Sequence, residues 1–537
     1  MKASISRSKH WPGAVLFPVL ALVLVIPLTA AFAPIFKGGA LSNLARAFAD
    51  PRFVGSFKYG ISQAAASSLL AAIIGLPGAF LLARRRFPGK RLLSALSAVP
   101  FCVPPLIIAI GFVLYYGREG ILNRFLVSTL GLSQPPIRFL YSFAGIVIAH
   151  GFYNFPIVMR FVGDAWASAP KRHEEAARML GASESRILFT VTVPAILPAL
   201  GAALSLVFLL CFYSFVIVLL FGGPGVGTPE VELYRAARFE FDRPLASSFA
   251  LIETAVAMLA LAAYGAFERR FSSERRESDR RKADAFRSRG GMLAAILYGA
   301  CILIFFLGPL FAILTESLTV RSTARGLAHV GLANYVSLVT RKGFAGALMN
   351  TLMLGLLSAT IAVIAGFVLS IGLKRVRSPF LSRVLPLLPL GVSSVVLAYG
   401  WNSAIGRSTI LALAMVQAVS AYPFALRAIQ STVGLSYQSY VEAARSLGSS
   451  SLGATLRVRV PMAAPSILSG FALAFAMSAG DANAIIAAPV NGFETLSLLL
   501  YRLAGSYRFN EACAAAVILA VLTGFIFALK DARDGIA

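Results

Sequence analysis

Of 537 residues, 58% are hydrophobic and only 13% charged, which excludes an ordinary soluble globular chain. The formal net charge of +26 suggests nucleic acid at first sight. Lys and Arg instead sit in short clusters between long apolar runs, with no polar domain to carry a basic stripe, so the expected partner is a lipid bilayer and no nucleic acid.

The first apolar run, Trp11 to Phe36, follows Lys2, Arg7 and Lys9. It is longer than a signal-peptide core, and a similar run opens the second half near Met292, each with an internal Pro-Leu (Pro27-Leu28, Pro309-Leu310). A retained signal-anchor helix is expected. A helix needs roughly 20 apolar residues to cross about 30 Å. By that measure spans are expected at 12–35, 59–83, 94–116, 139–163, 194–221, 246–267, 292–315, 347–373, 384–401, 408–428, 461–488 and 512–529, about 12 in all. Pro386 and Pro389 interrupt the run at 384–401. The chain therefore reads as an all-α polytopic membrane protein.

Positive charge clusters at Arg84 to Arg91, at Lys171 to Arg186, in the linker, at Lys374 to Arg383 and at Arg445 to Arg459. All fall on the N-terminal side of the membrane, so both termini are expected in the cytoplasm. The segment 268–289 carries nine Lys/Arg against five acids and reads as a solvated connector. The organisation expected is a first half at 1–267, a linker at 268–290 and a second half at 291–537.

A polar insert occurs twice. Glu175-Ala176-Ala177-Arg178 and Gly181 return as Glu442-Ala443-Ala444-Arg445 and Gly448, an offset of 442 − 175 = 267. Pro194 and Pro198 return as Pro461 and Pro465, and Tyr234-Arg235 as Tyr501-Arg502. Both copies lie on one side of the membrane, so the halves are parallel, pseudo-twofold repeats of six spans. Glu174 and Glu175 suit a helix's first turn, Glu175 and Arg178 are spaced to pair, and Gly181 suits a left-handed end. Short helices are expected at about 170–182 and 437–449. A docking element present once per half implies a partner with two sites.

The pattern E-A-A-x3-G-x9-[VI]-x-[VL]-P resembles the loop by which bacterial ABC importer permeases engage their ATPase. Both halves carry it, so nearly the whole chain is similar to a fused pair of such permease domains. The resemblance implies a type I importer permease fold and ATPase-coupling roles for Glu175, Ala176, Ala177, Gly181, Glu442, Ala443, Ala444 and Gly448. It implies as partners two copies of a cytoplasmic ABC ATPase and an extracytoplasmic solute-binding protein. No G-x4-G-K-[ST] occurs, so the chain itself is expected to be no enzyme and to hold no cofactor, ATP and Mg being bound by the partner.

Fused double permeases of this kind resemble thiamine and ferric-iron importers. The stretches 209–225, 231–242 and 116–122 look closer to the thiamine branch, whereas Ala482-Asn483 departs from that branch's Ser-x-Gly-Asp segment. Intramembrane polar groups mark candidate pathway positions: Asp481, with Tyr213, Ser214 and Phe215 at the equivalent place in the first half, and His150 and Asn154 on one face. No metal site is expected, because the four histidines and four cysteines are dispersed. An ion-coupled secondary transporter is the rival class; its relay would have to use Asp481 and Glu253.

Overall fold

The structure is a computed structural model and describes residues 12–87, 89–96, 103–169, 171–222, 227–274, 284–285, 289–321, 328–372, 385–433 and 438–534, without side chains at 12–22 and a few segment edges. The N-terminal cations, the cluster at Lys374 to Arg383 and most of the linker lie outside the described residues.

Among these residues, ten helices are long and apolar enough to cross a membrane. There are eleven if Val23–Phe36 and Ala40–Ala49, bent by 83° at Gly38-Gly39, count as one span. The sequence-based expectation of about 12 differs at 384–401. There the described chain forms a tight 3-10 turn at Leu385–Gly391, which contains Pro389. Proline cannot donate to the ladder, and its ring crowds the preceding turn. A new helix begins only at Ser394, where the Ser393 hydroxyl accepts from the Val396 N–H at 3.0 Å. At 12 residues, Ser394–Ile405 is about 18 Å long, too short to span.

Three π-helical turns, Leu188–Thr192, Leu303–Leu307 and Thr455–Arg459, share one cause. Each ends two residues before a proline: Pro194, Pro309 and Pro461. Widening the preceding turn relieves the clash between the ring and the carbonyl four residues back. At the second of these the freed Phe305 carbonyl accepts from the Tyr116 hydroxyl at 2.8 Å. The first and third turns are themselves repeat partners, since 455 − 188 = 267.

The chain divides into two compact units. One comprises residues 1–33, 346–495 and 521–537, the other 34–345 and 496–520. The opening helix of each half thus belongs to the unit that holds the other half's early spans. Pro309 lies against Gly111 in the larger unit, where a Cβ on Gly111 would sit 2.7 Å from the Pro309 carbonyl oxygen. In the smaller unit, Pro27 lies against Gly400.

Within the larger unit, Pro51–Arg84 packs along Phe143–Ser168, and Val193–Phe212 packs against both and against Arg243–Glu274. In the smaller unit, Ile410–Val433 packs on Val460–Gly480. Small residues set these crossings. A Cβ on Gly75 would come within 2.8 Å of the Phe155 carbonyl, and one on Gly366 within 3.0 Å of the Leu426 nitrogen.

Candidate functional site

The duplicated insert folds into two matching elements. Lys171–Met179 and Gln438–Ser446 are nine-residue helices in the same register. Gly181 and Gly448 follow with φ of 80° and 88°, the left-handed end that lacks a Cβ penalty. The same hydrogen bonds close both turns: Ala182 N–H to the Ala177 carbonyl and Ser449 N–H to the Ala444 carbonyl, each 3.0 Å. Ser183 and Ser450 then cap the next short helices, accepting from Arg186 and Gly453. The residue before each glycine, Leu180 and Leu447, is 88% exposed. Such apolar tips on rigid turns suit a protein groove.

The charges are arranged differently from the simplest helix pairing. Arg178 donates to Glu184, at 2.7 Å from Nε and 3.0 Å from Nη2, across the glycine turn. Glu174 points inward, receiving Arg84 Nη1 at 3.0 Å and the Thr192 hydroxyl at 3.2 Å. This buried pair ties the first helix to the end of Pro51–Arg84, on the wall of a cavity of about 270 Å³ that Phe80, Trp166 and Arg178 also line. The second copy has Val441 in place of Glu174, and Val441 is buried.

The candidate pathway residues divide between the two units. In the larger, His150 and Ser214 meet in a closed polar network. Gln63 Nε2 donates to the Cys211 carbonyl at 2.7 Å, which leaves Gln63 Oε1 facing His150 Nδ1 at 3.0 Å. The Nδ1–H tautomer follows, and Nε2 accepts from the Ser214 hydroxyl at 2.7 Å. Asn154 donates to the His150 carbonyl at 3.0 Å. Phe215 is buried edge-on to Tyr234, 5.1 Å between centroids. The Tyr213 hydroxyl is enclosed without a hydrogen-bond partner, in electrostatic reach of Glu230 and Glu253.

In the smaller unit, Asp481 is half-buried at the end of Val460–Gly480, and its Oδ1 accepts from the Asn483 N–H at 2.9 Å, capping the next helix. Gln417, at the position equivalent to His150, accepts from Ser358 at 3.2 Å. Sequence reasoning missed Gln63 and Glu230. Gln63 had a visible signal, an amide inside an apolar run, whereas Glu230 lies in a short amphipathic segment whose burial only packing reveals.

Known proteins resemble this chain over most of its length. A relative from Brucella abortus (strain 2308), the thiamine transport system permease protein ThiP, is 28% identical over 492 residues, covering 88% of this chain and 86% of its own length. The ThiP of Escherichia coli (strain K12) is 26% identical over 547 residues, covering 98% and 97%. Among solved structures, a bacterial ABC transporter involved in the import of alginate aligns with a TM-score of 0.41 and 18% identity, covering 48% of this chain and 94% of that one. The sequence pattern of the binding-protein-dependent transport system inner membrane component matches residues 75–273 and again 302–532. The chain belongs to that family, as a single polypeptide carrying its permease domain twice.

Proposed function

We propose that this chain forms the solute pathway of a bacterial ATP-driven importer for thiamine. Two copies of a separate ABC ATPase dock on the paired helix–glycine turns. A solute-binding protein delivers thiamine to the opposite face, and both termini are cytoplasmic. The observation that carries the reading is the duplication of the helix–glycine turn in one backbone geometry, down to the exposed Leu180 and Leu447. A motor with two equivalent clefts explains why both copies keep one geometry. The names of the relatives that span nearly the whole chain support thiamine as the solute.

In this reading the turns move with the closing ATPase dimer and the two repeats rock between inward- and outward-facing states. His150, Asn154, Tyr213, Ser214 and Phe215 serve the pathway from the first half and Asp481 from the second. Tyr213 and Phe215 would offer ring faces to a cationic heteroaromatic solute.

The test is uptake of radiolabelled thiamine into proteoliposomes holding the purified permease, its ATPase and its binding protein. ATP-dependent accumulation, abolished by Leu180→Asp with Leu447→Asp together with loss of ATPase co-purification, is the expected result. Accumulation driven by an ion gradient without any ATPase would point to a secondary transporter instead.

A further inference from the structure

Among the described residues only two that are not glycine have positive φ: Phe241 at 54° and Tyr507 at 57°. For a bulky aromatic this conformation is strained, and a glycine there would be free of the penalty. The two sites are repeat partners after one extra residue in the first half. Helix Pro229–Arg238 precedes Phe241, and helix Leu496–Gly505 precedes Tyr507. Each turn closes on its helix, Asp242 N–H to the Ala236 carbonyl and Arg508 N–H to the Leu503 carbonyl, both 3.0 Å.

Both turns are held rigid and both expose their aromatic. Around Phe241, Arg46 donates to the two Asp242 oxygens at 2.9 and 2.7 Å, and Arg52 pairs with Glu240 at 2.7 Å. Around Tyr507, Glu511 holds Arg508 and accepts from Arg341 at 3.3 Å and from Ser337 at 3.0 Å. Yet Phe241 is 78% and Tyr507 86% exposed. The strain is not repaid by packing inside the chain. One long span separates each turn from its docking helix, so the turns lie on the membrane face opposite the ATPase.

We propose that Phe241 and Tyr507 are paired anchors for the extracytoplasmic solute-binding protein, presented in fixed geometry by the two clamped turns. The inference rests on the importer reading above. A folded partner rewards preorganised aromatics, because ordering them on binding would cost affinity. Lipid headgroups adapt to any side-chain geometry and give no reason to keep a strained backbone.

The experiment uses the full complex in nanodiscs, with ATPase activity titrated against the solute-binding protein encoded with this permease. Phe241→Gly and Tyr507→Gly remove ring and strain together. Expected are a thermal midpoint equal to or above wild type and a half-saturating binding-protein concentration raised about 10-fold per substitution. A stimulated wild type with unchanged half-saturation in both variants overturns the anchors and leaves the importer reading standing. A Phe241→Trp fluorescence quenched by brominated lipid overturns them in favour of a membrane contact. A wild type that the binding protein does not stimulate overturns the importer reading and the anchors with it.

Discussion

Arg84 and Glu174 form a buried ion pair that joins the end of one span to helix Lys171–Met179, with Arg84 Nη1 3.0 Å from Glu174 Oε2. Removing one partner strands the other charge, which costs about 3–5 kcal/mol at buried sites, with the lower end expected beside the open cavity. Glu174→Ala should therefore lower the thermal midpoint and uncouple ATP hydrolysis from binding-protein stimulation. The second half manages with Val441 at this place. The double change Arg84→Met with Glu174→Val should accordingly regain most of the lost stability, measured by thermal unfolding in detergent.

Gly181 and Gly448 have open space where a Cβ would go, so only their positive φ resists substitution. Gly181→Ala should cost about 1 kcal/mol locally and little in membrane insertion. If the importer reading holds, Gly181→Asp with Gly448→Asp, which adds charge beside the exposed leucines, should cut solute uptake at least about 10-fold, the equivalent of 1.4 kcal/mol, at normal expression. Unchanged uptake in that double variant would count against docking at these turns.

Tyr116 supplies the hydrogen bond that Pro309 cannot give to the Phe305 carbonyl. Tyr116→Phe keeps the ring and leaves that buried carbonyl short of a donor. A loss of about 1 kcal/mol is expected, read as a small drop in thermal midpoint. Tyr116→Phe with Pro309→Ala restores a backbone donor and should recover it.

Gly75 and Gly366 sit at equivalent close crossings of packed helices. Gly75→Val must push Pro51–Arg84 off Phe143–Ser168, with an overpacking cost of about 1–3 kcal/mol. Reduced yield of monodisperse protein on size exclusion would register it. Substitution at Gly265, which has nothing within 4 Å of its would-be Cβ, should have no such effect.

Much of this architecture was legible in the chain. Apolar runs of about 20 residues gave nearly every long helix, because backbone groups in lipid must be satisfied within the segment. The repeat offset gave the paired helices and their glycine turns, since a left-handed helix end after an amphipathic turn is a local requirement. At 384–401 the described residues form a 3-10 turn and a 12-residue helix in place of one long helix, because hydropathy registers composition and not the prolines' effect on the ladder. The Glu175–Arg178 spacing suggested a local pair, and folding adds a partner that spacing does not show, because Arg178 reaches Glu184 across the glycine turn.

By itself, the sequence determined what is local or periodic in this protein: the helices, the duplicated helix–glycine turns and the charge clusters between spans. These depend on neighbours a few residues apart or on a fixed repeat. Only the tertiary structure decided which opening helix joins which unit, that Gln63 fixes the His150 tautomer, that Arg84 reaches Glu174 and that Phe241 and Tyr507 are held strained. Those relationships join residues tens to hundreds of positions apart, and helix crossings and ion pairs, not spacing along the chain, bring them together.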